Sequence, residues 1–532
     1  MSSGRIIVRA TFLILALSLL SRFLGLGREM AIAYAFGAKA KADAFFVAYV
    51  IPYTFSGVVG TALATVIVPV FAGYAAQGRK EAAWQVLSRL LNAAFVLTLV
   101  LAFLGVAAAP LLTRALGGGF PPATLALATK LSAAMTPAII FLTVAGILGG
   151  ILNANNIFGP PALGPAIMNV MVITGALAGA RLLDVYGLAL GVVAGSLAYT
   201  LVQLPALRYV GFRYTPACDF WHREVRRVGA LLLPVVLASG IGQVYTFIDW
   251  RLASGLAEGS IAALNYANKL MNLPQGLLVT AVTTAIFPTL SRLAAEEQPE
   301  AMAATLRRAL KWILLLGVPG AVGLIVLRAP VVMLLFERGA FDARATGMTA
   351  QALLCYAVGL AAFCLNLPLT RGFFAFQDTR TPLLISAATV PVKLLLSLAL
   401  VRALHHAGLA LATSITMTLN MGLLSYLLYR RLPALFDASF CRFAGRLLLA
   451  AAFMGAGVHV ADGYLAAHLK TAGLGLLCRV GADIAAGALL FFAAAFSLRL
   501  DELLSLCDLL REKAAGVAIR SKSLRPRYRN NR

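Results

Sequence analysis

Charge is scarce in this chain. Of its 532 residues only 12% are charged, where a soluble protein of that length keeps roughly a quarter. Acids are rarest: 21 Asp and Glu stand against 45 Lys and Arg, for a net charge of +24. The five histidines do not cluster, and Asp249, Asp342 and Asp462 are far apart. The six cysteines (Cys218, Cys355, Cys364, Cys441, Cys478, Cys507) show no Cys-x-x-Cys pair and no metal spacing. Each is read as a small apolar packer, with no disulfide framework implied. No GxxxxGK[ST] loop and no nucleophile elbow occurs. The sequence therefore offers no catalytic residue, no metal and no cofactor. After Arg5 and Arg9 the apolar run continues past Leu24 without a convincing cleavage site, so it is read as a retained first span.

Apolar residues are abundant: 61% of the chain is hydrophobic and the mean hydropathy is +0.87. Such a chain belongs in a membrane as a multi-spanning protein. About fourteen spans of roughly 20 residues can be placed. The first lies at 8–36, the second at 44–75, the eighth at 261–290, and the last two at 444–466 and 472–498. The fold class predicted is all-α integral membrane. The basic clusters at Arg79-Lys80, Arg208 to Arg227, Arg292 to Lys311, Arg430-Arg431 and beyond Arg499 all fall on one side if the N-terminus is cytoplasmic. That orientation puts both termini in the cytoplasm. The tail from Arg520 to Arg529 is expected to touch anionic headgroups, not nucleic acid.

The chain repeats itself at an offset of about 220 residues, the mark of parallel repeats related by an axis along the membrane normal. GLAL recurs at Gly187–Leu190 and Gly408–Leu411. Ala44, Gly57, Thr61 and Pro69 match Ala263, Gly276, Thr280 and Pro288. The organisation expected is a lobe of six helices over 1–220, a second over 221–435, two extra helices over 436–500 and a basic cytoplasmic tail over 501–532. Substrate is expected between such repeats, near the midplane.

Polar residues inside the spans mark that site. The first span carries Arg22 and Arg28, about 120° apart on an ideal helix, with Gly25 and Gly27 between them. A local bend at these glycines is expected to turn both guanidiniums into one water-filled cavity. Arginine suits phosphate, because its planar fork binds two oxygens at once. Glu29 is expected to hold one arginine in place. Asp43, at the start of the second span, is expected either beside Arg28 as a gating ion pair or as a helix cap. Tyr49 and Tyr53 follow at helical spacing, as cavity or packing residues. In the eighth span Asn265, Lys269, Asn272 and Thr280 fall within one arc, flanked by Asn268, and should line a hydrated cavity. The inner loop with Asn153 and Asn155 pairs with the one holding Gln377 and Asp378, as candidate hinges. Lys393 lies within the eleventh span without an obvious local carboxylate, as a cavity or snorkelling residue.

These segments resemble a known family, the lipid II flippases called MurJ or MviN, within the superfamily of multidrug and polysaccharide exporters. The specific matches are Ser21-Arg22-Phe-Leu-Gly-Leu-Gly-Arg28-Glu29, Ala42-Asp43-Ala44-Phe45-Phe46, Ile151-Leu152-Asn153, Tyr266-Ala-Asn-Lys269-Leu-Met and Phe376-Gln377-Asp378. The resemblance implies a flippase, not an enzyme. Its cargo would be an undecaprenyl-diphosphate-linked peptidoglycan precursor, moved from inner to outer leaflet of the bacterial inner membrane by alternating access. The implied partners are that lipid-linked diphosphate glycan, membrane lipids and cell-wall synthesis proteins. Arg22, Arg28 and Asp43 match positions important to the family, and Lys269 stands where it commonly has arginine. Two departures are visible: Ser56, Gly57 and Thr61 replace a second-span arginine pair and glutamate, and Asn268 replaces an aspartate. Coupling to membrane potential, Na+ or H+ fits this reading. The rivals are a flippase for another polyprenyl-linked glycan and a cation-coupled drug antiporter, and the cationic cavity argues against the second.

Overall fold

The computed structural model describes residues 3–54, 80–216, 243–469 and 473–500, with the isolated positions 74, 223, 226, 230, 240, 502 and 503. Ser56, Gly57, Thr61 and Pro69, and with them most of the repeat's second-span match, and the basic tail beyond Arg520 lie outside the described residues. Helices make up most of the described chain, and no strand occurs among those residues. In order they are α1 (Ser3–Phe36), α2 (Lys80–Gly117), α3 (Pro122–Met135), α4 (Ala138–Ala154), α5 (Gly159–Thr174), α6 (Tyr186–Val210), α7 (Ser260–Pro274) and α8 (Thr280–Ala295). Then come α9 (Pro299–Val326), α10 (Arg328–Phe336), α11 (Ala343–Val358), α12 (Leu360–Ala375), α13 (Arg380–Arg431), α14 (Ala438–His468) and α15 (Leu474–Ser497).

Eight helices among the described residues are long and apolar enough to cross a membrane, or nine if α11 and α12 count as one broken span. At 1.5 Å per residue the 52 residues of α13 would run more than twice the thickness of the hydrocarbon core. The helix is in fact broken at His405, whose φ of 50° and ψ of −132° interrupt it, so α13 is two spans. Leu97, Leu99, Phe103 and Leu111 of α2, and Leu448, Leu449, Phe453 and Val460 of α14, are all exposed. In water such bands would drive aggregation; in a bilayer they are the lipid face.

The chain forms two compact units. One comprises Met1–Leu273, Val332–Gly359 and Leu383–Asn420. Its core includes Trp84, Leu87 and Leu90 of α2, Ile147, Leu148 and Ile151 of α4, and Leu207 of α6. The other comprises Pro274–Val331, Leu360–Pro382 and Met421–Arg532. There Leu314, Leu315 and Val318 of α9 pack with Phe443, Leu447 and Met454 of α14 and Phe491 of α15. Lys311 pairs with Glu502 at 2.7 Å, and Arg479 on α15 with Asp462 on α14 at 2.7 Å.

The internal repeat is legible in the backbone. Asn156 and Gln377 take φ values of 60° and 59°, and Asp184 and His405 values of 52° and 50°. Both pairs are 221 residues apart. The GLAL motif has a steric cause. A Cβ on Gly187 would lie 2.5 Å from the backbone carbon of Gly179, and one on Gly408 would lie 2.4 Å from the carbonyl oxygen of Leu400. Each glycine thus lets one helix of a hairpin press on the backbone of the helix before it, as small residues do in membrane packing. Gly408→Val should cost at least about 1–3 kcal/mol through overpacking, read as a lower thermal unfolding midpoint of the purified protein in detergent. Gly422→Ala, where nothing lies within 4 Å, is the control. Equal midpoints for the two variants would remove the packing role of Gly408.

Candidate functional site

A cavity of about 350 Å³ lies within the first unit, lined by Ser21, Arg22 and Arg28 of α1, Tyr49 and Tyr53 of the helical segment 40–54, Asn169 of α5, and Lys269 and Asn272 of α7. Arg22, Arg28 and Lys269 are thus in one chamber. The helix does not unwind at the glycines: α1 runs as one continuous helix from Ser3 to Phe36. Gly25 and Gly27 face α5 with room for a side-chain carbon. A Cβ on Gly25 would lie 3.6 Å from Asn169 Nδ2, and one on Gly27 3.8 Å from Ile173. The cavity wraps an arc of α1 that contains Ser21, Arg22, Gly25, Leu26 and Arg28, so one continuous helix presents both arginines. Asn169 Nδ2 donates to the carbonyl of Ser21 at 3.0 Å and pins the helix one residue before Arg22. Asn169 is a site residue that the sequence pattern does not single out. Its signal was an asparagine inside the otherwise apolar stretch Ala166 to Thr174.

Arg28 is held on three sides. Its Nη2 lies 2.6 Å from Glu29 Oε1, its Nη1 donates to the Tyr49 hydroxyl at 3.3 Å, and its guanidinium carbon sits 5.6 Å from the centre of the Tyr49 ring. Tyr49 stacks between Phe45 and Tyr53, at centroid distances of 5.5 Å and 5.3 Å. Glu29 accepts a second hydrogen bond, from Asn265 Nδ2 at 3.0 Å on its other oxygen. Asn265 therefore acts through Glu29. Asn272 Nδ2 donates to Asn268 Oδ1 at 2.7 Å, along the cavity face of α7. Among the described residues no carboxylate lies within 4.0 Å of Arg22 or Lys269. Among the described residues three cations and one carboxylate leave the chamber with two uncompensated positive charges, the charge that a diphosphate diester would neutralise.

Asp43 is not beside Arg28. It accepts from the backbone N–H groups of Gly259 and Ala262, both at 2.7 Å, and so caps the N-terminus of α7, where a carboxylate is favoured. Gly259 there has φ +89°, and a Cβ on it would lie 2.0 Å from the Ala38 carbonyl oxygen, so only glycine fits. The capping reading holds, and the ion-pair reading fails because Glu29, adjacent in sequence, already occupies Arg28. Around this cap the end of α1 is tied down. The Tyr266 hydroxyl donates to Gly37 O at 3.0 Å, and the N–H of Ala340 to Tyr34 O at 2.8 Å. Tyr266 packs among Phe46, Phe336 and Phe341, at centroid distances of 5.1–5.7 Å. Ile32, Ala33, Phe36, Phe45 and Phe46 are all buried. The chamber thus ends at the layer of Arg28 and Glu29 and is shut toward the C-terminal end of α1.

None of the loop candidates is among the residues that line the cavity. Asn155 Nδ2 bonds back to Ile151 O at 2.9 Å, and Asn153 belongs to the last turn of α4. The N–H of Ile157 donates to Leu152 O, and that of Asp378 to Phe373 O, so both loops are the same left-handed helix-ending turn. Asp378 then accepts from the N–H and hydroxyl of Thr381, at 3.0 Å and 2.8 Å, and from Arg431 at 2.6 Å. The Thr381 hydrogen bonds, ahead of Arg431, hold its carboxyl below the usual carboxylate range. Lys393 does have a carboxylate, which the sequence did not reveal: Asp249, at 2.6 Å.

Membrane-length helices surrounding a cationic, one-ended chamber define a multi-pass membrane transporter. Among solved structures the chain is similar to "Lipid II flippase MurJ, inward closed conformation", with a TM-score of 0.78 at 24% identity over 92% of this chain and 100% of that one. It is also similar to an inward-facing multidrug resistance MATE family transporter of the MOP superfamily, with a TM-score of 0.66 at 16% identity over 80% and 99%. In sequence it is 33% identical to the lipid II flippase MurJ of Burkholderia cenocepacia, over 78% of this chain and 82% of the relative. It is 31% identical to the probable lipid II flippase MurJ of Vibrio cholerae, over 79% and 82%. The family model for lipid II flippase MurJ matches residues 32–472. The chain belongs to the MurJ lipid II flippase family.

Proposed function

We propose that this protein carries lipid II, the undecaprenyl-diphosphate-linked peptidoglycan precursor, from the inner to the outer leaflet of the bacterial inner membrane. The observation that carries the reading is the chamber with two uncompensated positive charges, closed at one end. With both termini in the cytoplasm, as the basic clusters favour, the N-terminal half of α1 faces inward and the closed layer outward. The diphosphate enters from the cytoplasmic side and meets Arg22, Arg28 and Lys269. Ser21, Asn169 and Asn272 supply neutral hydrogen-bonding groups beside them. The polyprenyl tail stays in lipid beside the helices of 436–500. Rocking of two lobes, 1–220 and 221–435, opens the Asp43–Tyr266 layer and releases the headgroup to cell-wall synthesis proteins outside. An inside-negative potential of 100 mV is worth about 2.3 kcal/mol for each charge moved fully across. It favours both the outward passage of the anion and the inward return of the emptied cationic chamber.

The test is the leaflet accessibility of lipid II in the source bacterium before and after depletion of this protein. Depletion should shift lipid II to the cytoplasmic leaflet within a generation. Unchanged accessibility, or accumulation of a different polyprenyl-diphosphate glycan, would overturn lipid II as the cargo.

A further inference from the structure

Lys393 lies in the membrane-spanning first half of α13, and its side chain is wholly buried. A buried ammonium carries three donors and needs three acceptors. It has them. Nζ lies 2.6 Å from Asp249 Oδ1 and donates to the carbonyl of Leu409 at 2.9 Å and to Thr413 Oγ1 at 2.6 Å. Asp249 comes from the helical segment 243–253, and Leu409 and Thr413 from the second half of α13, past the break at His405. The Thr413 hydroxyl lies 3.3 Å from Asp249 Oδ2, which closes the ring of oxygens. One turn away the same two segments meet again, Tyr245 and Thr389 sharing a 2.6 Å hydroxyl contact.

A carboxylate, a carbonyl and a hydroxyl converging on one point are hard oxygen ligands of the kind that hold group I and II cations. In transporters, backbone carbonyls beside helix breaks commonly serve a coupling ion. Here one carboxylate supplies one negative charge, so the ring suits a monovalent ion; a divalent ion would leave buried positive charge. We propose that Asp249, the Leu409 carbonyl and Thr413 form a monovalent-cation site which this chain fills permanently with its own Lys393 ammonium. A tethered cation does not dissociate during a cycle. Cargo movement, on the flippase reading above, therefore needs no free sodium ion.

The site is tested on the purified full chain in detergent. Thermal unfolding is compared in sodium chloride and in N-methylglucamine chloride at equal ionic strength. The wild type should unfold at the same midpoint in both. Lys393→Ala empties the ring and strands the Asp249 carboxylate. Its midpoint should fall in N-methylglucamine and recover with Na+ along a saturating curve, and adding Thr413→Val should raise the half-saturating Na+ concentration about tenfold, the loss of one ligand. Lys393→Ser, a gentler change, gives a second reading of the same ring. A sodium-selective rise in the wild type overturns the proposal. So do variants indifferent to the salt, or variants that fold in neither salt, since free Na+ should replace the ammonium. In proteoliposomes the wild type should move lipid II at the same rate with and without a Na+ gradient, and a gradient-dependent rate overturns the sodium independence. No lipid II movement under any condition would instead overturn the flippase reading and leave the cation ring standing on its own measurement.

Discussion

Arg28→Ala is expected to abolish rescue of bacteria depleted of their own lipid II flippase, while the protein still inserts. Arg28 supplies the one guanidinium of the chamber that is fixed in place, by Glu29, by the Tyr49 hydroxyl and by the Tyr49 ring. Its side chain is 13% exposed, so the part that reaches the cavity is oriented before cargo arrives. A charge-assisted hydrogen bond is worth about 1.5–3 kcal/mol, roughly 10- to 150-fold in headgroup affinity. Arg28→Lys keeps the charge but loses the planar fork, and should rescue poorly. Arg22→Ala should weaken binding with little effect on stability, because no ion pair ties Arg22 to the protein among the described residues. Binding of lipid II to the purified variants, read beside the rescue assay, separates the two cases. Wild-type rescue by Arg28→Ala would sink the role given to it.

Glu29→Ala should be the most destabilising single change in the chamber. Glu29 is fully buried and answers two groups, the Arg28 guanidinium on one oxygen and the Asn265 amide on the other. Removing it leaves Arg28 charged and largely buried without a counter-ion, a loss of about 3–5 kcal/mol when a buried pair is broken from one side. The double variant Arg28→Met with Glu29→Met should be less harmed than Glu29→Ala, because both charges leave together. A double-mutant cycle on thermal unfolding measures this coupling. Additive single effects would mean that the pair is solvated and does not organise the chamber. Asn265→Ala should cost less than either, since it removes a neutral donor from an already paired carboxylate.

Much of the architecture was legible in the sequence because it is written in local pattern. Apolar runs marked the spans, and the offset near 220 residues marked the duplication that reappears as matched turns at Asn156 and Gln377. The polar arc of α7 was visible at helical spacing, and it does turn Lys269 and Asn272 into the cavity. The errors also have causes. Two glycines between two arginines suggest a break, yet the helix continues through them, because its backbone hydrogen bonds do not depend on side chains, and a Cβ on either glycine would meet only ordinary contacts. Asp43 looked like a partner for Arg28 because both stand near the same helix ends. The backbone donors of Gly259 and Ala262, invisible in a one-dimensional reading, take its oxygens instead. The loops holding Asn153 and Asn155, and Gln377 and Asp378, pair in the sequence, and they share one turn geometry.

Composition and periodicity were enough to set the solvent of this protein and the sign of what its chamber attracts. Burying apolar helices in lipid and keeping cations in water are properties of single residues and single helices. Pairing is different. Glu29 and Asn265 are 236 residues apart, and Asp43 and Gly259 are 216 apart. Asp249 gives no sign in its own neighbourhood of the lysine it neutralises. Electrostatic partnership inside a membrane depends on distances of a few ångströms between helices remote along the chain, and only packing of the whole bundle decides which charge answers which.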